Sequence, residues 1–61
     1  MSIIELAERT AEIMAIQMTQ GADAASNSEN MAELQRLEQA GEKVPTPDQI
    51  RQRARAIVAA A

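Results

Sequence analysis

The chain lacks the residues with which short proteins usually stabilise a small fold. Its 61 residues include no cysteine, histidine, phenylalanine, tyrosine or tryptophan. Disulfide bonds and zinc sites are therefore excluded, and so are the large aromatic side chains that anchor many small cores. Because a chain of this length buries only about 60% of its unfolded surface, we expect one small domain, residues 1–61, that is completed by a partner or by oligomerisation.

Start and stop signals predict an all-α fold of two to three short amphipathic helices, arranged as a helical hairpin or a small three-helix structure. The helices are expected over about residues 2–20, 27–40 and 46–60, with linkers at 21–26 and 41–45. Glycines at positions 21 and 41 supply the stops after the first two helices. No internal repeat is visible, which excludes a solenoid.

The first and third helices have well-marked starts. Ser2 and Glu5 have the spacing of a capping box, in which each side chain satisfies a free backbone N–H group. Thr46 is the expected N-cap of the third helix, with Pro47 at its first position. The second helix has two equally plausible starts, because Ser26 or Ser28 could provide its cap.

Apolar residues recur at helical spacing and mark the faces that we expect to be buried. The seam of the first helix contains Ile4, Ala7, Ala11, Met14 and Met18. This helix has a wide apolar arc, so we expect it to contact two neighbours. Ile16 lies apart from the arc, on the face with Glu5, Glu8, Arg9 and Glu12. The stripe of the second helix is narrow, which predicts the weakest packing of the three.

The third helix carries one continuous apolar stripe, in which Ile50 is followed by small and aliphatic residues up to Ala61. Together with the first helix, it supplies the residues that we predict to form a partner interface. The predicted interface residues are Ile4, Met14, Met18, Ile50, Ala54, Ile57 and Val58.

Charge is unevenly distributed along the chain. Residues 1–42 contain eight acidic residues and two basic ones, a net charge of −6, whereas residues 43–61 contain four basic residues and one acidic, a net charge of +3. The third helix could therefore pair with the acidic helices of its own chain, with a second copy or with an acidic partner. The candidate electrostatic contacts are Arg51, Arg55, Glu5 and Glu12.

The sequence gives no support for catalysis, a cofactor or a metal site. Without His, Cys or Tyr, a catalytic role would depend on carboxylates, hydroxyls and Lys43 in a pocket that so small a core cannot easily build. We expect Glu5, Glu8 and Glu12 to form a solvated face. Direct nucleic-acid binding and membrane insertion are also not expected, and no targeting segment is recognisable.

Two functions agree with these features. The leading hypothesis is a non-enzymatic structural or interaction protein that docks through apolar helix faces into a larger assembly, for example as an accessory or cement component of a phage particle. The alternative is an acidic regulatory binder, or an inhibitor of an enzyme or nucleic-acid-binding protein. Either protein would be expected in the cytoplasm or within an assembly such as a virion.

Overall fold

A computed structural model describes residues 1–61 and contains three helices and no strand. Helix α1 spans Ile3–Gln20, α2 spans Ser28–Gln39 and α3 spans Pro47–Ala60. The predicted all-α fold is confirmed, in its three-helix form. None of the helices is both long enough and apolar enough to span a membrane.

Both predicted capping boxes are present. The Glu5 backbone N–H donates to the Ser2 hydroxyl at 3.1 Å, and the Ser2 N–H donates to the Glu5 carboxylate at 3.4 Å. At α3, the corresponding distances between Thr46 and Gln49 are 3.1 and 2.9 Å. Pro47 occupies the first helical position, where the missing N–H costs nothing.

The predicted serine caps of α2 are wrong. Asn27 precedes the helix and makes no side-chain capping bond. Its side-chain amide instead donates to the Thr10 carbonyl of α1 at 2.9 Å, so it anchors the start of α2 to α1. Ser26 and Ser28 lie within 3.0 Å of each other through their hydroxyls and stay at the surface.

Glycines end the first two helices, as predicted. Gly21 and Gly41 have φ angles of 107° and 93°, a region in which an L side chain would be strained. After α2, the Gly41 N–H donates to Glu38 and the Glu42 N–H donates to Leu37, both at 3.0 Å. These two bonds satisfy carbonyl groups that the end of the helix leaves free.

Helix α1 lies at the centre and contacts both other helices, which confirms the prediction of two neighbours. Helices α1 and α3 run parallel, because Ile4 lines a surface recess with Gln49, and Ile16 lines another with Val58. Helix α2 runs back along α1, from the Asn27 contact towards the core position of Leu34.

Alanines provide much of the contact between α1 and α3. Ala11, Ala15 and Ala54 are all buried, and Ala54 has no exposed surface. Helix α2 has a single buried residue, Leu34, as expected for the helix with the narrowest stripe. The structure is therefore a closely packed α1–α3 pair with a less firmly attached α2.

The core is thin. Seven of the 61 residues are buried: Leu6, Thr10, Ala11, Ala15, Leu34, Ile50 and Ala54. The accessible surface is 4387 Å², whereas a folded protein of 6.6 kDa is expected to expose about 3,900 Å². The chain therefore leaves more surface in water than its mass requires.

The buried face of α1 is rotated from the predicted seam. Ile4 and Met18, at the two ends of that seam, are exposed, whereas Leu6 and Thr10 are buried. The rotation follows from the position of α2, which packs beside Leu6 and Thr10 and moves the buried arc towards itself. The Thr10 hydroxyl is satisfied by the Leu6 carbonyl at 2.7 Å.

Candidate interaction surface

The most distinctive surface is a row of four side chains on α1. Ile4, Glu8, Glu12 and Ile16 follow one another at intervals of four residues, which places them along one ridge of the helix. Leu6, which faces the core, is not part of this ridge. Ile4 is 82% exposed and Ile16 is 37% exposed. The ridge therefore begins and ends with an accessible isoleucine.

Arg53 of α3 reaches the middle of the α1 ridge and pairs with Glu8. Its Nε lies 2.9 Å from Glu8 Oε1, and its Nη2 lies 2.8 Å from Oε2, a two-pronged geometry that suits guanidinium and carboxylate. The hydrogen bonds from Arg53 lower the pKa of Glu8, and the same bonds raise the pKa of Arg53. Both side chains remain about half exposed, so the pair contributes little to stability.

Two other charged residues beside this pair have no ionic partner. The ion pairs of the chain are Glu33–Arg36, Asp48–Arg51 and Glu8–Arg53. Arg9 and Glu12 belong to none of them, although both are exposed and border the same shallow depression as Ile4 and Glu8. The surface around the middle of the ridge thus carries one ion pair, Glu8–Arg53, and two charges of opposite sign, Arg9 and Glu12, that belong to no ion pair.

An apolar recess adjoins each end of the ridge. At the start, Ile4 and Ala7 form a recess of about 240 Å³ with Pro45, which precedes α3, and Ile50 of α3. At the end, a broader recess of about 410 Å³ lies between α1 and the last turns of α3. Its apolar lining comprises Ala15, Ile16, Ile57, Val58 and Ala61. The surface is therefore apolar at both ends and charged between them.

The structure separates the predicted interface residues into three groups. Ile50 and Ala54 lie in the chain's own core, packed towards α1, and are not accessible to a partner. Met14, Ile57 and Val58 are half-buried. Ile4 and Met18 are exposed. The intramolecular contact between α1 and α3 thus uses much of the stripe that the sequence assigned to a partner.

The predicted electrostatic residues also have different roles. Arg51 pairs with Asp48 in its own helix at 2.6 Å. Arg55 and Glu12 have no ionic partner in the chain. The Glu5 carboxylate belongs to the Ser2 capping box, whose hydrogen bonds lower the pKa of Glu5. No group of three or more acidic side chains comes together in a way that could hold a metal ion.

Sequence reasoning missed the contact of Arg53 with Glu8 and did not include Ile16 among the predicted interface residues. Arg53 pairs with a residue 45 positions away, and spacing along the chain does not reveal such a contact. Ile16 did give a signal, since it is an apolar residue on an otherwise charged helical face. The four-residue interval from Ile4 to Ile16 through two glutamates indicated the ridge in principle.

Comparisons of the chain with protein-family models, with curated proteins and with solved structures found no match.

Proposed function

We propose that the chain is a small, non-enzymatic structural or interaction protein that docks through apolar helix surfaces into a larger assembly. The observation that carries this proposal is the exposure of Ile4, at 82%, on a ridge that ends in a second accessible isoleucine. Burying an isoleucine stabilises a complex by about 2 kcal/mol. Ile4 can gain most of this stabilisation on association, and Ile16, at 37% exposed, a smaller part of it.

The thin core gives independent support. Only seven residues are buried, and Leu34 is the one buried residue of α2. The chain therefore has little internal packing to hold α2 in place. A partner that covers apolar surface would stabilise the folded form, because binding only the folded state shifts the equilibrium towards it. An assembly subunit gains this stabilisation whenever it is in place.

The non-enzymatic part of the proposal rests on the residues available. The side chains that most often act as nucleophile or general base, Cys and His, are absent from the sequence. Of the carboxylates on the outer side of α1, Glu5 takes part in a helix cap and Glu8 in an ion pair. These carboxylates have structural roles.

Co-sedimentation tests the proposal. Extracts or particles from the organism that carries the gene are separated on a density gradient, and the chain is located with a small tag. We expect wild type in a fast-sedimenting fraction, Ile4→Asp at the top of the gradient, and the exposed control Gln52→Asp with wild type. A particle fraction rich in phage capsids would place the chain as an accessory or cement component. Wild type at the top of the gradient would contradict the proposal.

Salt distinguishes this proposal from an acidic regulatory binder. At about 0.5 M NaCl the screening length is about 4 Å, so contacts between exposed charges weaken strongly. A subunit docked through apolar surface should stay in its complex at that salt concentration. Release by salt, together with an Ile4→Asp variant that still binds, would favour the acidic binder instead.

A further inference from the structure

The α1 ridge forms one wall of both apolar recesses. Ile4 and Glu8 line the recess at its start. Glu12 and Ile16 line the recess at its end. Residues of α3 line the other side of both recesses, and the ion pair of Arg53 with Glu8 joins the two helices. The two recesses are therefore parts of one groove between α1 and α3, which we call the α1–α3 groove.

The polar side chains that line this groove are engaged within the chain, with one exception. Glu8 pairs with Arg53. Gln49 takes part in the cap of α3, and the Thr19 hydroxyl donates to carbonyl groups of its own helix. Glu12 is exposed and belongs to no ion pair. The groove thus offers a partner apolar surface and one carboxylate that is free to bind.

We propose that the α1–α3 groove binds an amphipathic helix of a partner protein, with one apolar residue in each recess and a basic residue beside Glu12. This inference rests on the proposed docking function and names the chemistry of the partner. The bound helix would pack against α1 and α3 together, and it would cover Ile4, the most exposed large apolar residue of the chain.

A helix suits this groove better than an extended peptide does. An extended segment needs hydrogen bonds to its backbone from the protein that binds it, as at the edge of a sheet. Both walls of the groove are helices, whose backbone groups are already paired along their length. A helix satisfies its own backbone groups, so apolar contact is enough to hold it in a groove.

Charge favours a basic residue on the bound helix over an acidic one. The charged residues that line the groove are two carboxylates, Glu8 and Glu12, and one guanidinium group, Arg53, which gives a net charge of −1. Glu5 and Arg9 lie beside the groove and offset each other. A cation of the partner therefore gains attraction there, whereas an anion is repelled.

The positions of the recesses define the spacing of the partner's apolar residues. Ile4 lines the first recess and Ala15 the second, eleven residues later, or about 16 Å along the helix axis. Two residues of a partner helix that are eleven positions apart span the same distance and lie on the same face. Because Glu12 borders the second recess, the basic residue belongs one turn away from the apolar residue in that recess.

A nuclear magnetic resonance titration of the full chain with a designed peptide tests this inference. The probe is an alanine-rich helical peptide with two leucines eleven residues apart and an arginine between them, one turn from the second leucine. We expect a dissociation constant below about 1 mM. The amide shifts that change should lie in α1 and α3 around the groove.

Protein variants test the apolar contacts. Ile4→Asn should raise the dissociation constant by at least about tenfold, and Ile16→Asn, at a less exposed position, by about fivefold. Met18→Asn is the matched control, because Met18 is an exposed apolar residue of α1 that lines neither recess; it should leave the constant unchanged. Circular dichroism checks that each variant is helical. A peptide whose leucines are nine residues apart, on opposite faces, should bind at least about tenfold more weakly, and this control does not depend on any protein variant.

A charge swap tests the role of Glu12. Replacing the arginine of the peptide by glutamate should raise the dissociation constant for wild type by about threefold, a size typical of exposed ion pairs. The Glu12→Arg variant should reverse this preference and bind the glutamate peptide more tightly than the arginine peptide.

Four results would overturn the inference: a helical wild type that does not bind the peptide at about 1 mM, equal binding of the peptide with leucines on opposite faces, a Met18→Asn variant as impaired as Ile4→Asn, or a charge swap without effect. The gradient experiment separates this failure from failure of the proposed function. A chain that enters a large assembly but ignores the peptide keeps the docking function and loses the helical partner. A chain that binds the peptide but stays at the top of the gradient does the reverse.

Discussion

Ala54→Leu should destabilise the chain, because Ala54 is fully buried on the face of α3 that packs against α1. The substitution adds three carbons where no accessible surface remains, so either α3 moves outward or the leucine adopts a strained conformation. Overpacking of this kind costs about 1–3 kcal/mol. For a domain of this size, 1 kcal/mol lowers the melting temperature by about 4–8 °C, which predicts a decrease of about 4–24 °C.

Thermal unfolding followed by circular dichroism measures this effect. Ala59→Leu is the matched control, since the same substitution in the same helix falls at an exposed position. Its free energy of unfolding should change by less than about 0.5 kcal/mol. Unfolding of Ala54→Leu at the wild-type temperature would contradict the close packing of α3 against α1.

Three further predictions concern α2 and the ion pair between α1 and α3. Leu34→Ala should cost about 2–5 kcal/mol, and amide hydrogen exchange should accelerate more in α2 than in the other two helices; equal acceleration in all three would contradict the loose attachment of α2. Asn27→Ala removes the amide that donates to Thr10, so it should lower stability by about 1 kcal/mol in urea unfolding, whereas Ser26→Ala, which removes only exposed hydrogen bonds to Ser28, should have a smaller effect. Because Arg53 lowers the pKa of Glu8 below its ordinary value of 4.5, the stabilisation from this pair is present above that value and is lost as the pH falls through the lowered one. Urea titrations at several pH values should therefore show a loss of stability on acidification that is smaller in a Glu8→Gln variant, and an unchanged loss would refute this assignment.

The helix starts that the sequence predicted correctly are those whose signals are local. In the pairs Ser2–Glu5 and Thr46–Gln49, each side chain accepts a hydrogen bond from the backbone N–H of the other residue, within one helical turn. The predicted serine cap of α2 was wrong because the N-cap position is taken by Asn27, whose side chain is fixed by a carbonyl seventeen residues away in α1. A pattern of capping residues carries no information about such a distant acceptor.

The predicted interface was limited by a similar ambiguity. An apolar stripe shows that a helix face is buried, but it does not show whether the covering helix belongs to the same chain or to a partner. Ile50 and Ala54 proved to be covered from within the chain. Ile4, in contrast, belongs to a seam by sequence spacing and is left outside the core, because the buried arc of α1 is shifted towards α2.

The central claim is that the chain docks through exposed apolar surface of α1 and is stabilised by the assembly that it docks to. The most direct test is the melting temperature of the tagged chain with and without the fast-sedimenting fraction of the density gradient. Because a partner that binds only the folded chain stabilises it, wild type should melt at a higher temperature when that fraction is present, while the melting temperature of Ile4→Asp should not change. A wild-type melting temperature that does not rise would contradict the claim.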